Sequence, residues 1–236
     1  MLRRCGLTSV APAILVLVGY CALCAAANAA ETATAKVEST AAASGGEVVK
    51  LSTPDTTGGT LNEALLKRRS IRSYEDVPVT KEQLSQILWA AQGITDPKTG
   101  HRTAPSAMAM YPLDVYAVTP DGIYLYVPKD HSLKTIKTGD HRAEVTTQGW
   151  AQKAGLQIVV VGVPDRMRRG GERTKTWIAY EAGAVAENVL LEATALGLGS
   201  GTIGGFDPAK VSALFGLPEG NEPIIVLPVG KMAAPK

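Results

Sequence analysis

The sequence predicts an α+β domain, and three observations carry that reading. Residues 157–163 and 223–229 are continuous apolar runs, the mark of strands buried on both faces. Residues 113–118 and 123–127 read as the two strands of a hairpin around the turn Thr119-Pro120-Asp121-Gly122. Between these strand signals, residues 173–196 keep a helical period through Ala182, Val185, Ala186, Val189, Leu190, Ala193 and Leu196.

Taken in order, the chain of 236 residues opens on an export signal at 1–29. Arg3 and Arg4 precede an apolar run over 10–27, and Ala27-Asn28-Ala29 is a small-x-small cleavage site. The run is short and alanine-rich, so a permanent membrane span is the weaker reading. Leu-Arg-Arg-Cys-Gly-Leu loosely resembles a twin-arginine signal. All three cysteines, Cys5, Cys21 and Cys24, fall in this segment, so cleavage leaves a thiol-free chain and excludes disulfides, cysteine nucleophiles and zinc–thiolate sites. It also leaves 22 basic against 22 acidic residues, a neutral balance that exerts no long-range pull on nucleic acid or anionic membrane. Residues 30–47 form a small-residue linker, and the domain proper spans 48–236, beginning with a short extended arm over 48–54.

Thr60-Leu61-Asn62-Glu63 is a capping box that opens a helix through Lys67. A second, Thr80-Lys81-Glu82-Gln83, opens a helix with Leu84, Ile87, Leu88 and Ala91 on one face, and Gly93 ends it. Residues 129–150 are expected to hold a short strand and then a helix. The long helix is thin in its first half, where Ala179, Ala182, Gly183, Ala184 and Ala186 let something pack close. Asp207-Pro208 caps a last helix that Gly216 closes.

Gly199, Gly201 and Gly204 spell G-x-G-x-x-G, a pattern that marks a dinucleotide site only after a strand and at the opening of a helix. Here it follows a long helix, so the match is accidental, and Gly197 and Gly199 are expected simply to end that helix. Arg68, Arg69 and Arg72 place three guanidiniums within five residues beside Ser70. Such a cluster needs carboxylates, for which Glu75 and Asp76 are at hand, or an external anion such as phosphate. Chemistry alone leaves both readings open. His101, His131 and His141 lack metal-ligand spacing and are expected in loops or at the surface.

Arg68-Arg69-Ser70-Ile71-Arg72-Ser73-Tyr74, Leu88-Trp89-Ala90-Ala91-Gln92-Gly93-Ile94, Arg102-Thr103-Ala104-Pro105-Ser106-Ala107 and Tyr111-Pro112-Leu113-Asp114-Val115-Tyr116 together resemble the flavin-dependent nitroreductase superfamily, nearest its SagB/ThcOx-type dehydrogenase-like branch. Glu181-Ala182-Gly183, Gly197-Leu198-Gly199, Ile203-Gly204-Gly205-Phe206 and Pro228-Val229-Gly230-Lys231 continue the likeness in order, across residues 48–232. The resemblance implies a homodimeric three-layer α/β/α sandwich with a central mixed sheet, and FMN as cofactor. By resemblance, Arg68, Arg69, Ser70 and Arg72 hold the FMN phosphate and ribityl chain, with Lys231 as an added cation. Pro105, Ser106, Ala107 and Met108 lie along the isoalloxazine, contributed by the second subunit. Ile203, Gly204 and Gly205 present backbone to flavin N5, through which a small-molecule donor reduces a small organic acceptor such as a quinone or nitroaromatic.

Two departures bear on the substrate. Met108 stands where the branch often has glycine, and Arg169-Gly170 occupies the region where azoline-oxidising relatives carry a Lys-Tyr pair. An exported, periplasmic enzyme also meets no NAD(P)H pool, which points to a quinol or a redox partner as reductant. The alternatives are an exported flavin-binding module without turnover and an azoline-type dehydrogenase.

Overall fold

Two apolar faces of one sheet, each covered by helices, organise the domain. The computed structural model describes residues 60–234. The signal expected at 1–29, the linker at 30–47 and the arm at 48–54 lie outside the described residues, as does the Thr60 side chain on which the first capping box depends.

The elements run α1 (Thr60–Lys67), α2 (Lys81–Gln92), β1 (Ile94–Asp96), β2 (His101–Arg102), β3 (Leu113–Thr119), β4 (Gly122–Val127), β5 (Ser132–Thr138), α3 (Arg142–Val145), β6 (Leu156–Gly162), α4 (Thr174–Ala195), β7 (Gly199–Ser200), α5 (Pro208–Phe215) and β8 (Glu222–Gly230). Six strands form the main sheet in the order β5-β4-β3-β6-β8-β7, and β1 with β2 forms a small separate ribbon. Every neighbouring pair is antiparallel. The mixed character expected of the sheet is confined to one parallel bridge, Ser70 to Ser200.

Alternation along the strands builds two cores. Leu113, Val115 and Ala117 of β3, with Leu156, Ile158 and Val160 of β6, pack against α2 and α4. Tyr116, Val118, Val159 and Val161 point the other way, onto Val145 of α3 and Val211 and Phe215 of α5. Helices on both faces make the three layers, and central strands covered on both faces are why β6 reads as an unbroken apolar run.

The second capping box is present in full: the Thr80 hydroxyl accepts from Gln83 N–H, and the Gln83 side chain accepts from Thr80 N–H. Asp207 accepts from the N–H groups of Ala209 and Lys210 at the start of α5, and Gly216 ends that helix with φ 63°. Residues 129–150 supply β5 and α3 as expected.

Buried Arg142 ties this half of the domain together. Its guanidinium donates to Asp140, to Asp76 and to the Ala154 carbonyl, so Asp76 is spent here rather than on the arginine cluster. Gly155, beside it, presses against backbone. A Cβ there would overlap the Val77 carbonyl and come within 2.9 Å of Val79 N. Since neither neighbour is a flexible side-chain tip, Gly155→Ala is expected to cost about 1–3 kcal/mol, read as a lowered urea midpoint with unchanged m-value.

Candidate functional site

The arginine segment is held as an extra edge of the sheet. Leaving α1, the chain bridges Ser70 to Ser200, and Ile71 N–H donates to the Ser200 carbonyl at 2.8 Å. Tyr74 bridges Met232, while Glu75 N–H donates to the Lys231 carbonyl and Ala233 N–H to the Ser73 carbonyl. The Tyr74 hydroxyl, buried, donates between the carbonyls of Ile71 and Pro228 at 2.9 and 3.2 Å. Burial raises its pKa above the ordinary tyrosine value against the opposing charge of Arg72, so it stays a neutral donor. Residues 70–75 therefore lie between β7 and the chain that leaves β8, which brings Lys231 to the arginines.

Gly199 does more than end the helix, contrary to the sequence expectation. That task falls to Gly197 (φ 72°), whereas Gly199 sits in β7 under the arginine segment. A Cβ on it would lie 2.7 Å from Met232 Cγ and 2.8 Å from Ile71 Cγ2. One on Gly201 would lie 3.2 Å from the Ile71 carbonyl. The glycines are what let residues 70–73 approach so closely.

The charge balance at this edge is positive. Arg68 pairs with Glu187 of α4 at 3.7 Å, and Lys231 with Glu75 at 2.7 Å. Arg69 turns back onto the carbonyls of Leu66 and Arg68 at the end of α1. Arg72 has no carboxylate within salt-bridge distance among the described residues. Glu75 and Asp76, the partners the sequence offered, are engaged with Lys231 and Arg142 instead. Four cations against two carboxylates leave two positive charges, with the Ser70 and Ser73 hydroxyls nearby. That composition fits a phosphate group.

Ile203, by contrast, is not available as a donor. Its N–H goes to the Val226 carbonyl at 2.8 Å, its carbonyl accepts from Val226 N–H at 3.0 Å, and its side chain is buried in the α3–α5 core. The next two residues, Gly204 and Gly205, are exposed, and nothing lies within 4 Å of where a Cβ on either would stand. Their N–H groups have no protein partner among the described residues. Thus the backbone strip expected over 203–205 is confined to its two glycines.

Pro105, Ser106, Ala107 and Met108 fall elsewhere, on the N-terminal half of α4. There Pro105, Ser106 and Ala107 line a pocket of about 340 Å³ with Trp177, Tyr180 and Glu181. Within the described chain they do not join the arginine edge. The loop is strained: Met108, Ala109 and Tyr111 have φ of 53°, 52° and 45°, a conformation that costs a residue with a side chain. Glu181 holds it. Its Oε1 accepts from Ser106 Oγ at 3.0 Å and Ala107 N–H at 2.8 Å, and Ser106 Oγ accepts from Tyr111 N–H at 2.8 Å. Oε2 is buried with no partner among the described residues, and burial raises the Glu181 pKa against the two donors that lower it. Arg102 steadies the far end, lying 4.3 Å from the Tyr111 ring centroid and donating to Gln92 Oε1 at 2.8 Å.

Sequence reasoning missed Glu181 and Arg102 as the loop's supports. An acid on the buried, alanine-lined face of a helix was the available signal for the first; nothing local marked the second.

A three-layer α+β domain with a net-positive segment on its sheet edge defines the class, and its relatives give the family. The Nitroreductase family model matches residues 65–231. A nitroreductase-like protein of Methanocaldococcus jannaschii is 34% identical over 197 residues, covering 79% of this chain and 98% of that protein. A crystal structure of a nitroreductase-like protein from Ralstonia eutropha superposes with a TM-score of 0.69 at 32% identity, over 78% of this chain and 89% of that one. The NADPH:FMN oxidoreductase of Vibrio harveyi, solved with NAD+, shares the fold at a TM-score of 0.54 and 23% identity, over 75% and 73% of the two chains. The chain belongs to the nitroreductase family and is an oxidoreductase of that family.

Proposed function

We propose that the chain is an FMN-dependent oxidoreductase of nitroreductase type that passes reducing equivalents from a small-molecule donor to a small organic acceptor such as a quinone or nitroaromatic. The observation that carries this reading is the sheet edge itself, where Arg68, Arg69, Arg72 and Lys231 outnumber their carboxylate partners Glu187 and Glu75, with exposed, side-chain-free Gly204 and Gly205 further along the segment that leaves β7. Arg68, Arg69, Ser70, Arg72 and Lys231 would hold the FMN phosphate and ribityl chain. The name of the Vibrio harveyi neighbour, an FMN oxidoreductase, supports the choice of flavin.

When bound, FMN supplies a ring nitrogen, N5, that takes up and returns a hydride equivalent. The residues of this chain do the rest. Gly204 and Gly205, exposed and without a protein partner for their N–H groups among the described residues, would offer donors to the ring and no side chain to obstruct exchange. The excess positive charge at the edge favours the reduced, anionic state of the cofactor. Hydride transfer at N5 needs no protein acid or base, so this reading gives His101, His131 and His141 no part in it.

A homodimer completes the site in this reading. Pro105, Ser106, Ala107 and Met108 would reach the partner's flavin, since within one chain they stand apart from the arginine edge. Leu61, Leu65, Leu66 and Tyr180, with the small Ala179 and Gly183 of α4, are exposed among the described residues and supply apolar surface for such an association. The reading also makes the chain an exported, periplasmic one, on the strength of Arg3, Arg4 and Ala27-Asn28-Ala29, with a quinol or redox partner as donor.

The test is direct. The purified chain is expected to be yellow, to release one FMN per chain on denaturation, and to run at twice the chain mass in light scattering. Anaerobically, a donor should bleach the flavin and an acceptor restore it through repeated cycles. A colourless protein that neither carries nor takes up FMN would end this reading, and a flavin that no donor bleaches would reduce it to a binding module.

A further inference from the structure

A second site lies away from the arginine edge and shares no residue with it. Between the first turns of α2, the β3–β4 turn and the β4–β5 connection is a cavity of about 440 Å³, within the size range of small-molecule sites. Val79, Leu84, Leu88 and Leu133 give it apolar walls, and Pro78, Pro120 and Tyr124 add flat ones. Lys81 and Asp121, of opposite charge, both contribute to the lining, so the cavity carries no net charge from its own side chains.

Its polar end is a chain of three side chains. His131 stands in the left-handed region (φ 43°, ψ 54°), and its ring sits at the exposed rim of the cavity between two hydroxyls. Its Nδ1 lies 2.8 Å from the Tyr126 hydroxyl and its Nε2 lies 2.8 Å from Ser85 Oγ. At first sight this is a nucleophile, a base and an orienting group. The direction of the hydrogen bonds argues otherwise. Tyr126 is buried, a phenol is a better donor than acceptor, and His131 Nδ1 is the one partner of its hydroxyl among the described residues. Burial raises the Tyr126 pKa and so keeps the phenol protonated. Tyr126 therefore donates to Nδ1, which leaves Nε2 as the N–H that donates to Ser85 Oγ. Instead of surrendering its proton to a base, Ser85 ends a donor chain with its own O–H free to point into the cavity. Such an end recognises an acceptor, and donors in series strengthen one another.

We propose that this cavity binds a small, uncharged aromatic carbonyl compound, whose oxygen accepts the Ser85 hydroxyl and whose rings lie among Val79, Leu84, Leu88 and Leu133. The site is independent of the flavin reading, because none of its residues belongs to that edge.

Benzophenone is a suitable probe, since it is neutral, aromatic, carries one carbonyl and inserts into nearby C–H bonds on near-ultraviolet irradiation. Equilibrium dialysis against the full chain should show benzophenone bound about fivefold more tightly than diphenylmethane, which lacks only the oxygen. Ser85→Ala should abolish that preference while leaving diphenylmethane unchanged. Leu133→Trp, which fills the cavity, should weaken both. Peptide mapping after irradiation should place the adducts on residues 79–88 and 131–133. The proposal is overturned if benzophenone does not bind, if Ser85→Ala keeps the preference, or if the adducts fall on residues 105–108 or 201–206 instead.

Discussion

A protein carrying Arg68→Ala and Arg72→Ala together is expected to bind FMN on the order of a hundredfold or more weakly, yet to lose far less of its affinity for riboflavin. Each guanidinium that donates to a phosphate contributes about 1.5–3 kcal/mol, and two such losses multiply to that range or beyond. Riboflavin lacks the phosphate, so it separates loss of an anion site from loss of the fold. The fold itself should survive. Arg72 forms no salt bridge among the described residues, and the Arg68 pair with Glu187 is long, at 3.7 Å and partly exposed, so its removal costs little. Titration by quenching of flavin fluorescence reads both ligands. An equal fall for riboflavin would assign the arginines to architecture rather than to phosphate, and unchanged FMN binding would remove them from the site. Arg68→Lys should fall between, since an ammonium keeps the charge and loses the fork.

Much of the fold was legible because its signals are local. The Thr80–Gln83 box, the Asp207-Pro208 cap and the unbroken apolar runs of β6 and β8 each state their structure within a few residues, and the structure returns all of them. The nitroreductase fold was legible in the same way, from ordered motifs. What sequence could not show was which partners long-range pairing would give to individual residues of the site. Ile203 read as free backbone beside glycines, but Val226 takes both its N–H and its carbonyl. Glu75 and Asp76 read as neighbours of the arginine cluster, but the fold gives them to Lys231 and Arg142. Gly199 read as a helix terminator because nothing in sequence announces that Ile71 and Met232 close over it. Proximity in the chain proposes partners, and the sheet order disposes of them.

Glu181 provides the sharpest case, and the second large effect. Glu181→Ala is expected to destabilise the domain by about 3 kcal/mol, or roughly 10 °C in Tm for a domain of this size. The variant strands the Ser106 hydroxyl and the Ala107 N–H, and it releases a loop in which Met108, Ala109 and Tyr111 are held at positive φ. Glu181→Gln separates the hydrogen bonds from the charge, because an amide oxygen can still accept from both donors but no longer titrates. The sign of the pH effect follows from burial, which raises the Glu181 pKa in the folded chain above its unfolded value. The folded state therefore holds the proton more tightly. Stability from this group is full below the ordinary carboxylate range and is lost as pH rises from that range through the raised value. The Gln variant lacks this loss, so its Tm should gain on that of the unaltered chain as pH is raised across the window, whatever constant offset the substitution brings. A Tm difference that stays flat with pH would mean that Glu181 titrates normally. Full stability in the Ala variant would mean that the strained loop holds itself.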